Sequence, residues 1–391
     1  MDKSKINKIL LINFLTLSTF NMAHPVTPTL MNAIGLPTFM FGVLYSAMAI
    51  AQFVMSPIWG TISDMRGRKK VLTVGVIGYG ISQLGFGFAQ NSIVILLFRI
   101  LGGAMAAGYM TSSVAYVSDV STKKERIKYM SYYTATTSIA SSCGALLGGY
   151  IGGFGYKYTF IVQFICAMLV GLSIYFLLDE TVERKTGKIK VYLDHLKPNK
   201  KSVDLKSVIG VMMIVMTLAT IATTSYNSTI NYYVESVLNM PTIVNGIVMA
   251  VAGVIALIMN LFVNPYLGKK YNENKTLIVV LGVAGTSIII ASVTNNIILS
   301  LVFLAVFIGS SALVTPLQQS IVSKLAKDNY GEVMGVQGSF KAIGMVTGSL
   351  LAGFIFDIGN KLPFTLGGIC CILSYIILKN NNFNNNRKTK E

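Results

Sequence analysis

The chain has 391 residues, 53% of them hydrophobic and only 12% charged, with a mean hydropathy of +0.63. That balance excludes an ordinary soluble domain, in which about 25% of residues are charged, and the lack of ten-residue apolar–polar alternation excludes a transmembrane β-barrel. A net charge of +17 has two readings, a nucleic-acid surface or a topological bias, and the placement of the cations along the chain decides between them.

One membrane-crossing helix needs about 20 predominantly apolar residues. Twelve such segments are predicted, at 9–31, 39–59, 71–90, 92–117, 130–154, 158–178, 208–234, 242–264, 276–294, 297–320, 333–356 and 363–379. The first follows Lys3, Lys5 and Lys8 and so starts like a signal peptide. It ends in His24-Pro25-Val26-Thr27-Pro28 rather than in small residues suited to cleavage, and further spans follow, so it reads as the first span. Between the second and third spans lies Gly60-Thr-Ile-Ser-Asp-Met-Arg-Gly-Arg-Lys-Lys-Val-Leu72, too charged and glycine-rich to cross a bilayer. Its four cations, Arg66, Arg68, Lys69 and Lys70, place it on the cytoplasmic side. The other segments predicted on that side are basic as well, whereas only Lys157 and Lys361 fall on the opposite side and Arg99 and Lys341 within spans. Topology therefore accounts for the charge, with both termini in the cytoplasm, and no nucleic-acid partner is expected.

The fourth span carries Arg99-Ile-Leu-Gly-Gly103-Ala-Met-Ala-Ala-Gly108. Arg99 sits about 12 Å below the outer end at 1.5 Å per residue. A cation at that depth is unfavourable by at least about 2.5 kcal/mol and requires a wet cavity or an acceptor. The small residues after it allow neighbouring helices to approach closely. The fifth span contains Ala140-Ser-Ser-Cys-Gly144-Ala145-Leu-Leu-Gly148-Gly149, a further small-residue face.

Residues 179–207 form the only long polar interval and separate six spans from six. The expected organisation is an N-terminal bundle at 1–178, a cytoplasmic linker at 179–207, a C-terminal bundle at 208–379 and a low-complexity tail at 380–391 expected to be disordered. The halves repeat: residues 144–160 align without gaps on 348–364, pairing Gly144 with Gly348, Gly149 with Gly353, Gly155 with Gly359 and Lys157 with Lys361 at an offset of 204. A weaker echo pairs Pro57-Ile-Trp-Gly60 with Pro265-Tyr-Leu-Gly268, but the following Lys269-Lys-Tyr-Asn-Glu273 lacks the aspartate and second glycine of the first copy.

The fifteen acids fall in loops, tails or helix ends by this topology, and none at mid-membrane. Embedded basic groups are present instead: Arg99, Lys341 in the eleventh span and His24 in the outer part of the first. Intramembrane ionisable residues are functional candidates by default. A cavity with cations and no acids should favour neutral or anionic amphiphiles. The seventh span offers Tyr226, Asn227 and Asn231, and the tenth Ser311 and Gln318, as polar cavity residues. Cys143, Cys166, Cys370 and Cys371 all lie in spans without a C-x-x-C spacing and read as reduced packing residues, with no metal or cofactor site. No nucleotide-binding loop or catalytic set of residues is present, so an enzyme is not expected and energy must come from a gradient.

The segment from Gly60 resembles the G-x-x-x-D-x-x-G-R-[KR]-[KR] loop between the second and third helices of major facilitator transporters. The two parallel six-helix repeats are similar to the build of that family, which carries substrate at the midplane between repeats. The resemblance implies an all-α fold of twelve spans and a gate built from Gly60, Asp64, Gly67, Arg68 and Lys69. In the family the aspartate docks at the start of the eleventh helix, here around Gly331–Gly335, and the arginine pairs with an acid at the end of the fourth, here Asp119. The fifth-span pattern around Gly144, Gly148 and Gly149 resembles the drug-antiporter motif, departing from it at Ala140 and Ala145, and Pro25-Val-Thr-Pro28 is similar to an element of twelve-span drug/proton antiporters. Arg99 matches a fourth-helix arginine assigned there to proton coupling. The function expected is proton-coupled efflux of small amphiphilic compounds by a monomer in the cell membrane. The alternative is a transporter or facilitator for one neutral or anionic metabolite such as a sugar derivative.

Overall fold

A computed structural model describes residues 3–122, 125–182, 207–325 and 330–381. The linker and the tail expected at 179–207 and 380–391 lie mostly outside the described residues. Among the described residues all regular structure is helical. In chain order the helices are α1 (Lys3–Asn21), α2 (Thr27–Ala33), α3 (Met40–Arg66), α4 (Arg68–Phe88), α5 (Ser92–Val120), α6 (Arg126–Gly152) and α7 (Tyr156–Leu177). They are followed by α8 (Val208–Tyr232) with a π-helical turn at Tyr233–Val237, and α9 (Thr242–Ile258) with a second π turn at Met259–Val263. The last five are α10 (Asn264–Lys270), α11 (Glu273–Val293), α12 (Ile297–Leu325), α13 (Tyr330–Phe356) and α14 (Leu362–Asn380). Twelve spans result, the first being α1 with α2 and the eighth α9 with its π turn and α10.

The first span is not one helix. It breaks at Met22–Val26, where Pro25 and Pro28 supply no backbone N–H, and α2 restarts with proline in its first turn. His24 therefore sits in the break and not within a helix. The charged segment from Gly60 also differs from the expected loop. Helix α3 continues to Arg66, about 40 Å long at 1.5 Å per residue, and α4 begins at Arg68, so the connection is the single residue Gly67.

Ten of the described helices are long and apolar enough to cross a bilayer. Helices α1 and α6 fall short, α1 through its three lysines and both through polar residues that meet between them. The Asn13 amide donates to the hydroxyls of Thr136 and Thr137 at 3.1 Å, and the Asn21 amide donates to Ser141 at 3.2 Å. These amides and hydroxyls are satisfied inside the protein, away from lipid. Helix α7 shows the converse pattern. Tyr158, Ile165, Leu169, Leu172 and Phe176 form an exposed apolar stripe, while Thr159, Gln163 and Gly171 face inward, the arrangement a lipid-facing helix requires.

The chain divides into two compact units. One comprises 1–37, 47–199 and 234–254, and the other 38–46, 200–233 and 255–391. In the first, α1 packs on α6, and α4 on α5 and α7; in the second, α8 packs on α13, and α11 on α12 and α14. The pairings correspond one to one, so the sequence repeat is a structural repeat. The first core is built around Ile9, Ile12, Val76, Tyr79, Tyr109 and Tyr116, and the second around Met213, Val215, Leu281, Leu313 and Leu317.

Candidate functional site

The positive φ of Gly67, +105°, is what permits the one-residue connection between α3 and α4. The connection brings three acids around one arginine. Arg68 contacts Asp64 one turn back on α3, and its Nε lies 3.0 Å from Asp119 Oδ2 near the end of α5. Its Nη1 also donates to Ser63 at 3.2 Å. The third acid, Glu180, comes from the segment after α7. Its Oε1 accepts from the backbone N–H of Arg68 at 2.7 Å, so it caps the start of α4, where free N–H groups favour an anion. A side chain at Gly67 would collide with that carboxylate. Thr181 completes the corner by donating its hydroxyl to Asp119 at 3.0 Å, and Asp179 pairs with Lys5 at 3.2 Å. Sequence reasoning missed Glu180, because nothing in a carboxylate's local sequence reveals that it caps a helix more than a hundred residues upstream.

Lys69 lies outside this cluster, 5.0 Å from the ring of Tyr175. Gly60 lies inside α3 with open space where a side chain would project, so it is not a turn residue. The expected docking of Asp64 at the start of the eleventh span, around Gly331–Gly335, would join the first compact unit to the second and is not read from either unit by itself.

Arg99 is buried on α5, 6% exposed. Its guanidinium stacks over the Phe86 ring at 4.2 Å and reaches the Met48 sulfur at 3.7 Å. A cation–π contact in a water-excluded site contributes about 2 kcal/mol, which partly offsets desolvation. The Arg99 charge acts on His24 in the first-span break and on Tyr79. The Tyr79 hydroxyl donates to the Phe20 carbonyl at 3.0 Å and accepts from Gln83 at 2.8 Å. Two of the sequence candidates, Arg99 and His24, thus share one electrostatic environment. Lys341 belongs to the second unit and is exposed on α13.

The small residues of the fifth span make close crossings. A Cβ at Gly144 or Gly148 would fall on the carbonyls of Ser18 and Met22 of the first span, and one at Gly149 would lie 2.9 Å from the Cα of Gly246 on α9. The second unit repeats this contact: a Cβ at Gly348 would lie 2.9 Å from Ile221, and one at Gly353 3.2 Å from the Cα of Gly42. With Ala145 in place of the proline that would kink it, α6 is continuous through this region.

The proposed cavity residues differ in their surroundings. Tyr226 is a core residue, its ring 5.4 Å from Phe307 and 6.2 Å from Phe364. Asn227 is exposed on α8 and Asn231 is buried. Ser311 bonds to its own helix, donating to the Ile308 carbonyl at 3.0 Å. Gln318 is 1% exposed, and neither end of its amide has a partner among the described residues. Gln337 on α13, 3% exposed, is in the same condition and was not anticipated. At the C-terminal end of α8, Glu235 in the first π turn is half-buried and accepts from Thr29 at 2.9 Å and Asn245 at 3.2 Å.

The family model of the Major Facilitator Superfamily matches residues 9–346 and 266–390. The chain is 25% identical over 377 residues to multidrug resistance protein 2 of Bacillus subtilis (strain 168), covering 95% of this chain and 94% of that protein. It is 25% identical over 374 residues to the quinolone resistance protein NorA of Staphylococcus aureus (strain MSSA476), covering 92% and 93%. Among solved structures it is similar to a D-xylose–proton symporter, with a TM-score of 0.73 at 16% identity over 96% of this chain and 97% of that one. The human organic anion transporter MFSD10 matches with a TM-score of 0.70 at 19% identity, over 96% and 99%. With its paired six-helix repeats and a family match running nearly end to end, this chain belongs to the Major Facilitator Superfamily.

Proposed function

We propose that this protein is a proton-driven exporter of small amphiphilic compounds, working by alternating access in the cell membrane with both termini in the cytoplasm. The observation that carries the reading is the likeness to resistance proteins along more than nine-tenths of the chain, and not at one motif. That likeness favours broad efflux over a carrier for a single sugar derivative. The corner of Asp64, Arg68, Asp119 and Glu180 supports a switching role, since such clustered charges at a helix start form a contact that can be made in one state and released in another. In this reading Arg99 and His24, which share an electrostatic environment, serve proton coupling, with Lys341 as a further candidate. The crossings at Gly144, Gly148 and Gly149 hold the first and eighth spans against the fifth. Asn227, Asn231, Ser311 and Gln318 contribute polar groups to the substrate path, while Tyr226 supports them from the core.

The test is transport in everted membrane vesicles energised with a proton gradient. A panel of a fluorescent quinolone, a cationic dye, a neutral amphiphile and an anionic amphiphile is presented, and proton release on compound addition is followed with a pH indicator. Uptake of several unrelated members with proton release is expected. Uptake of one sugar derivative alone would establish the narrow alternative, and uptake without proton release would remove proton coupling.

A further inference from the structure

We propose that Glu235 is the outer proton-binding group of this transporter, held between α2 and the start of α9 by neutral partners that suit both its charged and its protonated form. The inference rests on the proton-antiport reading above. Glu235 lies at the end of α8 farthest from the chain's basic loops, in a π turn. The wider turn re-registers side chains relative to the α-helix before it, a device common at functional sites. A carboxylate at a helix end beside outer water would ordinarily project into that water. This one is half-buried and meets Thr29 of α2 and Asn245 of α9, with Thr242 beside them, its hydroxyl 3.1 Å from that of Thr29.

The kind of partner is the informative feature. A lysine or arginine would hold the carboxylate permanently ionised. Among the described residues the groups bonded to Glu235 are two hydroxyls and an amide, all uncharged. The other titratable or charged groups on the surrounding elements include His24 in the first-span break, Tyr226 and Tyr232 on α8, Tyr233 in the π turn, Tyr150 on α6, and Tyr156, Lys157 and Tyr158 at the start of α7. The Lys157 nitrogen lies over the rings of Phe88 and Tyr156 at 5.8 and 6.0 Å, and no ion pair to Glu235 is formed among the described residues.

Hydroxyls donate or accept by rotation, and an amide presents a donor at one end and an acceptor at the other. Asn245 is fully buried. Its nitrogen serves Glu235 and, at 3.1 Å, the Pro25 carbonyl, while its oxygen has no partner among the described residues. When a proton from outer water forms an O–H bond on the Glu235 carboxylate, rotation of the amide brings that oxygen to accept from it. The same rotation withdraws the amide nitrogen from Pro25, at the break between α1 and α2. Proton binding is in this way tied to the backbone of the first span, and release of the proton to water reverses it. A second contact, Asn32 to Ser236 at 3.1 Å, joins the same two elements and does not depend on the proton.

The experiment compares wild type, Glu235→Gln and Glu235→Asp in everted vesicles with a fluorescent quinolone. It reads compound-triggered proton release and, separately, counterflow of labelled against unlabelled compound, which needs no net proton movement. Glu235→Gln is expected to lower proton release by roughly tenfold or more, within the 5- to 150-fold range usual for coupled sites, while counterflow persists, and Glu235→Asp is expected to keep both. Proton release by Glu235→Gln equal to wild type overturns the inference and leaves antiport standing. Loss of counterflow in both variants overturns it in favour of a structural role. A wild type that moves compound without releasing protons defeats the antiport reading and this inference together. Independently, a hydrophobic carbodiimide, which adds only to protonated carboxyl groups, should modify Glu235 in the wild-type protein progressively less as pH rises. A Glu235 left unmodified at every pH overturns the inference.

Discussion

The start of α4 in the first unit and the start of α11 in the second are equivalent corners of a repeated fold, and they are held together with opposite polarity. In the first, Arg68 opens α4 and pairs with Asp119 near the end of α5. In the second, Glu273 opens α11 and pairs with Lys324 near the end of α12 at 2.6 Å. Both second-unit residues follow their counterparts by 205 positions, one more than the offset of the sequence repeat. The acid and base have exchanged places while the geometry is kept. The corners differ in depth and support. Arg68 is 11% exposed and has Asp64, Ser63 and the Glu180 cap around it, whereas Lys324 is 65% exposed and Glu273 has, among the described residues, the Ser320 hydroxyl at 2.9 Å as its further partner. The connection differs too: Gly67 at positive φ precedes α4, while Asn272 caps α11 through its own side chain, accepting from Asn274 N–H at 2.9 Å. What is repeated is the bond between two helix ends. Among the described residues the surrounding charge cluster is seen at the first corner, where a switching contact would be concentrated, and not at the second.

That comparison can be broken most decisively at Gly67. Gly67→Val forces a branched side chain into a left-handed backbone and onto Glu180, and about 1–3 kcal/mol of strain is expected from the backbone alone. Thermal unfolding in detergent should fall by several degrees and quinolone efflux should be lost, whereas Asn272→Ala should lower stability by only about 1 kcal/mol as a missing cap with efflux retained. Next in size is the polarity itself. Arg68→Glu should abolish efflux by placing four acids together. Adding Asp119→Lys, which copies the second corner, should recover part of it and not all, because Asp64 and the Glu180 cap still favour a cation. Full recovery in a dye-efflux assay would mean the surrounding cluster is irrelevant. Glu180→Ala should weaken the first corner by about 0.5–2 kcal/mol, the range for a lost helix cap, seen as faster proteolysis at the segment after α7. The smallest effect belongs to Lys324→Ala, at most about 1 kcal/mol for an exposed pair, with efflux unchanged. A large loss there would show that both corners take part in switching.

Much of the architecture was legible because it follows from solvent. Lipid demands apolar outward faces and internally bonded backbones, so span positions and the repeat could be read residue by residue. The fifth span was legible for a related reason: only glycine allows backbones to approach as Gly149 and Gly246 do, and as Gly353 and Gly42 do in the second unit. The errors were local and conformational. The segment from Gly60 was read as a loop because its charge excludes the membrane, yet charge does not exclude helix, and α3 continues to Arg66. The first span was read as continuous because hydropathy does not register two missing N–H donors at Pro25 and Pro28.

The sequence by itself determined class, span positions, repeat and family, since these are set by composition and by short patterns along the chain. Only the tertiary structure decided which groups meet: Glu180 at the start of α4, Arg99 over Phe86, the reversed pair Glu273–Lys324, and Glu235 against Asn245 and Thr29. The physical reason is distance along the chain. Hydropathy is a property of neighbours, whereas a carboxylate's partner and a cation's burial depend on segments brought together by packing. The acids, which by position alone looked like ordinary surface charges at helix ends, therefore gained distinct roles once their partners were in place.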